Sequence, residues 1–232
     1  RALEIHRQIG NRAQEGITLG TVAIIYKLQG EHERALKYYN KALDIHREIG
    51  NKRDEGITLG SMGIIYQLQG KVEKALEYYT LALDIAHEIG DKRSEGVTLG
   101  SIASIYQFQG DYEKAHELYA KALDIHREIR NKRTEAYVLG NMGMLYQSQG
   151  EFTQAIKYFT HSLEIAQEIG NKHSAGINLG NIAIVYQSQG DYEKALEYFN
   201  KALEIARAIE NKRSEGLNLG NIGDVYYTLN DP

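Results

Sequence analysis

Displaced by forty residues, this sequence comes back into register with itself from its first residue to its last, without insertion or deletion. Leu19, Leu59, Leu99, Leu139, Leu179 and Leu219 fall in one column, and Tyr26, Tyr66, Tyr106, Tyr146, Tyr186 and Tyr226 in another. Ala35, Ala75, Ala115, Ala155 and Ala195 form a third, with Leu43 and Ile45 recurring likewise. A chain of this kind folds as a row of like units, each burying its apolar face against the next, so its 232 residues are read as one array.

Each period holds two helical patterns divided by glycine. The first runs over residues 11–29 and ends at Gly30; the second runs from about Glu31 to Ile49 and ends at Gly50. Glycine just past a helix takes the left-handed conformation at little cost, and Asn51, Asp91 and Asp111 stand where an N-cap belongs. Arg130 and Glu210 replace that glycine, so these two junctions are expected to be continuous or strained. The predicted division is 1–10 as the end of a second helix, then repeats at 11–50, 51–90, 91–130, 131–170 and 171–210, then 211–232 as the first helix of a sixth. The fold class is all-α, with twelve helices, and the one proline, Pro232, interrupts none of them.

At about 100° per residue the first helix sorts into faces. Leu19, Val22, Ala23 and Tyr26 form the side packed within the hairpin, and Ile17, Thr21, Ile24 and Leu28 lie almost opposite. Gly16 and Gly20 share a flank, and the Gly20 column is glycine in all six copies although glycine inside a helix costs about 1 kcal/mol relative to alanine. Close approach to the Ile25-type flank of a neighbouring repeat is the expected compensation. In the second helix Ala35, Tyr39, Ala42, Leu43 and Ile49 are expected inside, with Lys37, Lys41, Asp44 and Glu48 in water. Leu3, Ile5, Ile9, Ile222 and Tyr226 belong to faces whose neighbours are missing, so end-to-end self-association or loose terminal helices are expected.

The pattern Leu59, Tyr66, Gly70, Ala75, Tyr79, Ala82 and Leu83, repeated along the whole chain, resembles the tetratricopeptide repeat, in the forty-residue class of kinesin light chains, spindle-orienting adaptors and bacterial regulators. The family's usual Trp is Leu here, its helix-ending Pro is absent, and its small site alternates as Ala23, Gly63, Ala103, Gly143, Ala183 and Gly223. The resemblance implies a right-handed α-solenoid, a superhelix whose first helices line a concave groove that grips peptides.

A column that varies while facing away from the core is free to serve recognition. Along the stripe opposite the hairpin core stand Ile17, Thr21, Ile24 and Leu28; Ile57, Ser61, Ile64 and Leu68; then Val97, Ser101, Ser104 and Phe108. It continues as Tyr137, Asn141, Met144 and Ser148; Ile177, Asn181, Ile184 and Ser188; and Leu217, Asn221, Asp224 and Thr228. The groove is thus apolar early and polar late. Asn141, Asn181 and Asn221, with Gln67, Gln107, Gln147 and Gln187 beside them, carry amides that both donate to and accept from a peptide backbone, or else are solvated helix residues. Arg53, Arg93, Arg133, His173 and Arg213 lie one turn earlier, at helix N-termini where positive charge opposes the helix dipole. They either receive acidic side chains of a ligand or pair within the chain, with Glu55, Glu95 or Glu48-type neighbours.

Composition excludes other classes. With 27 Lys and Arg against 31 Asp and Glu the net charge is −4, which argues against a nucleic-acid partner. No apolar run approaches the ~20 residues of a membrane span. The absence of cysteine fits a reducing, cytoplasmic setting. The chain starts inside a helix without an initiator Met and reads as a fragment. His6, His46 and His126 share a column but belong to different hairpins, so they are read as surface residues and no metal is expected. No Walker loop, Gly-x-Ser-x-Gly elbow or Cys/His cluster marks an enzyme or a cofactor site. The expected function is a scaffold that binds a peptide or helix of a partner, one with acidic groups and apolar anchors. The alternatives are a sensor arm of a larger enzyme or transcription regulator, and a self-assembling array.

Overall fold

Asn and Asp cap most of the helix starts, while Glu31, Lys71 and Glu151 stand at theirs without a side-chain cap bond. In the computed structural model, which describes residues 2–230 and of Ala2, Leu3, Arg7 and Asn230 the backbone only, Asn51 Oδ1 accepts from the Asp54 amide at 3.1 Å. Asp91 Oδ1 does the same for Ser94 and Asp111 Oδ1 for Lys114, at 3.1 and 3.2 Å. Each satisfies one of the amides that a first turn leaves without a partner.

Twelve helices and no strand occupy the described residues: α1 (Ala2–Gln8), α2 (Arg12–Leu28), α3 (His32–Glu48), α4 (Lys52–Leu68), α5 (Val72–Ile89), α6 (Lys92–Phe108), α7 (Tyr112–Glu128), α8 (Lys132–Ser148), α9 (Phe152–Glu168), α10 (Lys172–Ser188), α11 (Tyr192–Ala208) and α12 (Lys212–Asn230). Most helix ends turn on a left-handed glycine, for example Gly30 at φ 77°. Arg130 and Glu210 take the same conformation at φ 53° and 55°, so these junctions are strained turns and not continuous helix.

The helices cluster into two compact units, residues 1–109 and 110–232. In the first, α2 pairs with α3 and α4 with α5, while α4 packs on α3 and α6 on α5. Ala23, Tyr39, Leu43, Leu59, Met62 and Ile65 share its core. In the second, α8 pairs with α9 and α10 with α11, flanked by α7 and α12. Phe159, Ile182 and Val185 form one core there, and Ala183, Phe199 and Val225 the next. Hairpins of both units carry a stacked tyrosine pair, Tyr66 with Tyr78 at 5.1 Å and Tyr146 with Tyr158 at 5.2 Å between centroids. Each unit is thus a stack of antiparallel helical hairpins, the architecture of an all-α repeat solenoid.

A glutamate, buried at Glu55 and Glu135 and half-buried at Glu95 and Glu215, ties successive hairpins together. Glu55 Oε1 accepts from Arg47 Nε at 2.8 Å, and its other oxygen faces Lys52 Nζ at 3.8 Å. Glu95 meets His87 at 3.1 Å and Lys92 at 2.9 Å; Glu135 meets Arg127 at 3.2 Å and Lys132 at 3.8 Å; Glu215 meets Arg207 at 3.1 Å and Lys212 at 2.8 Å.

Three expectations are corrected. His46 and His126 are buried, at 2% and 0% exposure, and not at the surface. A Cβ built on Gly16 would sit 2.7 Å from His46 Cε1, so the glycine opens a notch that the imidazole fills. Close approach at the small flank is therefore to the second helix of the same hairpin and not to an Ile25-type neighbour. Gly56 and Gly176 repeat it against Ile85 and Ile205, at 3.1 and 3.2 Å. Ile49 is 38% exposed, its inward place being taken by Ile45 and His46. Ile5, Ile9 and Tyr226 are exposed and Ile222 half-buried, while the Leu3 side chain lies outside the described residues.

Candidate functional site

The face of α2, α4 and α6 turned away from the hairpin cores carries Ile17, Ile24, Ile57, Ile64 and Val97, each between about a third and a half exposed. A slot of about 340 Å³ lies between α4 and α6, walled by Ile57, Ile64 and Val97, floored by Gly56, Gly60 and Ala82, and rimmed by Ser61, Ser101, Arg53 and Arg93. Leu28, Leu68 and Phe108, at the C-terminal ends of these helices, stand 78%, 60% and 87% exposed.

In the second unit the corresponding face carries two smaller slots. One, of about 160 Å³ between α8 and α10, is lined by Tyr137, Gly140, Asn141, Met144, Ile177 and Asn181 among others. The next, of about 180 Å³ between α10 and α12, takes in Ile177, Gly180, Asn181, Ile184, Leu217 and Asn221. Ile177 and Asn181 line both, so the two slots are contiguous. Ser148, Ser188 and Thr228 lie at the exposed helix ends and spend their hydroxyls on the carbonyls of Met144, Ile184 and Asp224.

Gly60, Gly140 and Gly180 lie in these slots. A Cβ on Gly60, Gly140 or Gly180 would meet nothing closer than 3.6 Å, and one on Gly20 or Gly100 nothing within 4 Å. The Gly20 column is therefore not explained by helix packing, which corrects the close-approach reading; in α4, α8 and α10 its glycines keep the slots open.

Asn141 is 6% exposed, yet among the described residues its amide makes no hydrogen bond and lies at the slot. Asn181 and Asn221 are half-buried and likewise uncommitted. Gln67 is not available in the same way: its Nε2 donates to Ser104 Oγ at 3.2 Å and its Oε1 accepts from Tyr79 OH at 2.9 Å. Gln107, Gln147 and Gln187 are half-buried.

Intramolecular pairing of the arginine column with Glu55, Glu95 or Glu48 is overturned, because those carboxylates are taken: Glu55 by Arg47, Glu95 by His87 and Lys92, and Glu48 by Arg12. Arg53 turns to Asp91 Oδ2 at 3.6 Å. Burial pushes the Asp91 carboxyl up, but hydrogen bonds from Ser94 and the Arg53 charge outweigh it and hold it below the usual carboxylate range. Asp91 is the one carboxylate in its column, which is Asn11, Asn51, Asn131, Asn171 and Asn211 elsewhere. Arg93 and Arg133 are exposed and form no ion pair among the described residues. His173 Nδ1 lies 3.4 Å from Asn211 Nδ2.

Two structural polar residues escaped the sequence reading. Asn178 Nδ2 donates to Ser162 Oγ at 2.9 Å and to the Ser174 carbonyl, and Ser162 Oγ donates to the Ala136 carbonyl at 2.7 Å, tying α8, α9 and α10 beneath the slot. The signal was present: Ser162 breaks a column that is otherwise Ala42, Ala82, Ala122 and Ala202.

A family model described as the tetratricopeptide repeat matches residues 1–48, 54–128, 134–208 and 174–232. No curated protein matches the chain in sequence. Among solved structures it is similar to BtubC (BKLC) from P. vanneervenii, with a TM-score of 0.78 and 22% identity over 91% of this chain and 89% of that one. It is also similar to a signal-transduction ATPase with numerous domains and a tetratricopeptide repeat sensor from Pyrococcus horikoshii, at 0.79 and 23%, covering 93% of this chain and 33% of that one. A Rap protein complexed with Competence and Sporulation Factor gives 0.78 and 18%, covering 91% of this chain and 62% of that one. The chain thus spans a third of the ATPase and under two thirds of the Rap protein. Among the described residues no helix is long and apolar enough to cross a membrane.

Proposed function

Because the chain belongs to the tetratricopeptide-repeat family, we propose that it is a protein-interaction scaffold, and that the open face of its first helices holds an extended stretch of a partner polypeptide. The observation that carries this is Asn141: a residue only 6% exposed whose amide makes no hydrogen bond among the described residues, at the edge of a slot shared with Asn181. A bound backbone would give that amide the hydrogen-bond partner it lacks in the chain, a gain of about 0.5–1.5 kcal/mol. Gly140 and Gly180 leave room for that backbone to approach the helices. In the first unit the Ile57, Ile64 and Val97 walls suit an aliphatic or aromatic anchor, and Arg93, free on the rim, suits a carboxylate beside it. The Rap neighbour, crystallised with Competence and Sporulation Factor, supports a ligand on such a fold.

A second reading, a sensor arm of a larger protein, is favoured by the P. horikoshii ATPase, whose repeats are described as a sensor. It uses the same face and adds an effector domain.

The test is a random-peptide library selected on the chain and rescreened on the Asn141→Ala, Asn181→Ala double variant. Peptides that bind the double variant about tenfold more weakly support the reading. Peptides that bind it as well as wild type, and lose binding to Lys37→Ala or Lys41→Ala, place the partner on the second helices.

A further inference from the structure

One junction lacks the glutamate ion pairs that tie the others. Between α9 and α10 the glutamate column reads Ala175 where other repeats have Glu15, Glu55, Glu95, Glu135 and Glu215. The basic column reads Gln167 in place of Arg47, His87, Arg127 and Arg207. A second acidic column is also vacated: Lys52 reaches Glu88 at 3.4 Å and Lys132 reaches Glu168 at 3.7 Å, but the position facing their equivalent, Lys172, is Ala208. Lys172 has lost both carboxylates that hold its counterparts, and it forms no ion pair among the described residues.

The vacated volume is present. A cavity of about 430 Å³ opens there, with Ala175 and Ala208 at its wall beside Ala166 and Ile205, and with Lys172 and Gln167 among its lining residues. Relative to an intact junction two negative charges and one positive charge are gone, so the site is more positive by one unit. Glu204 also lines the cavity, but its column is Asp44, Asp84, Asp124 and Glu164 elsewhere, so it replaces neither missing partner.

We propose that this cavity is a carboxylate-binding site, taking a carboxylate on a short aliphatic stem: the head group receives Lys172 and the Gln167 amide as Glu135 receives Lys132 and Arg127, and the stem lies on Ala166, Ala175 and Ile205. The required chemistry is set by what the intact repeats place at this junction, a glutamate side chain. A free short-chain acid and an acidic side chain of a partner protein present the same group. Ala175 lies about 200° around α10 from Ile177, so the carboxylate head group would sit on the opposite side of that helix from the open face, although Ile205 lines both this cavity and the slot between α10 and α12.

Titration of the ¹⁵N-labelled chain with sodium butyrate, against sodium chloride at equal ionic strength, tests it. The expected result is saturable shifts of the amides of Gly170, Lys172, Ala175 and Ala208, weakened about tenfold or more in Lys172→Met. Ala175→Glu, which restores the missing carboxylate, is expected to abolish the shifts and raise the melting temperature. Butylammonium, with the same stem and opposite charge, is expected to give none. A Gly-Gly-Glu-Gly-Gly amide that binds more tightly than butyrate identifies a protein side chain as the source, and butyrate binding alone identifies a free acid. Shifts that do not saturate, or that persist undiminished in both Lys172→Met and Ala175→Glu, overturn the proposal.

Discussion

Arg47 and Glu55, eight residues apart across the turn from α3 to α4, close to 2.8 Å, while Arg53, two positions earlier and about 200° around α4 from Glu55, points away from that pair. With the Glu55 carboxylate engaged from the far side of the helix, the Arg53 column is left facing outward, where Arg93 and Arg133 find no acid in the chain. Coulomb energy between exposed groups is small, about 0–1 kcal/mol per pair, so the consequence is less one of stability than of which charges the surface keeps available.

Those charges give a salt-dependent prediction. Arg93→Glu with Arg133→Glu is expected to weaken an acidic peptide selected on this chain by about tenfold at low salt, and by less as the Debye length shrinks to about 8 Å near 0.15 M. Binding measured by fluorescence anisotropy across a salt series checks it; a loss independent of salt points to damage to the fold.

The apolar part of the face is tested by Ile64→Ala. Its side chain is 37% exposed, so stability should change little, while peptide affinity falls by about tenfold, on the order of 1.4 kcal/mol. Lys41→Ala, on the second helix, is expected to change neither, by calorimetry of the same peptide.

Gly180→Ala separates function from stability. The new Cβ would lie 3.7 Å from Asn218 Oδ1, an ordinary contact, and the helix gains about 1 kcal/mol of propensity. The melting temperature is expected to rise while the slot narrows and peptide affinity falls. At Gly143 the opposite holds, because a Cβ would stand 2.6 Å from the Phe159 ring, and overpacking by about 1–3 kcal/mol exceeds or cancels the propensity gain.

Arg130→Gly and Glu210→Gly are expected each to stabilise the chain by about 1 kcal/mol in urea unfolding, since both residues hold φ above 50°. Arg130→Ala, which keeps the Cβ, gives no such gain.

His46 links stability to pH. Burial lowers its pKa from the ordinary 6.5, against the opposing pull of Asp54 and Glu55. The unfolded chain therefore binds the proton more readily than the folded one. Its contribution is present above pH 6.5 and is lost as pH falls from there towards the lower folded value. Denaturation midpoints between pH 7.5 and about 5 should fall less steeply in His46→Ala, which reproduces the alanine found at Ala86, Ala166 and Ala206.

Most helix starts and ends, most of the hairpin cores and the outward stripe were legible in the sequence, although Ile49 was placed inside and His46 and His126 outside. They depend on pitch, on capping chemistry and on a period that puts like residues in like places. That Arg130 and Glu210 interrupt a glycine column was legible as well, but the choice of a strained turn over a continuous helix came from the structure. What sequence could not decide is which groups converge once helices from different turns cross. His46 fills the notch at Gly16, Glu55 is claimed by Arg47 and not by Arg53, and Asn141 is buried without a partner while Gln67 is committed. Lys172, Ala175 and Ala208 are ordinary letters in three separate columns; only the packing of α10 on α9 and α11 brings the two missing carboxylates and the surviving cation to one cavity. Local periodicity determines each residue's face, but a distance between faces is a property of the packed helices.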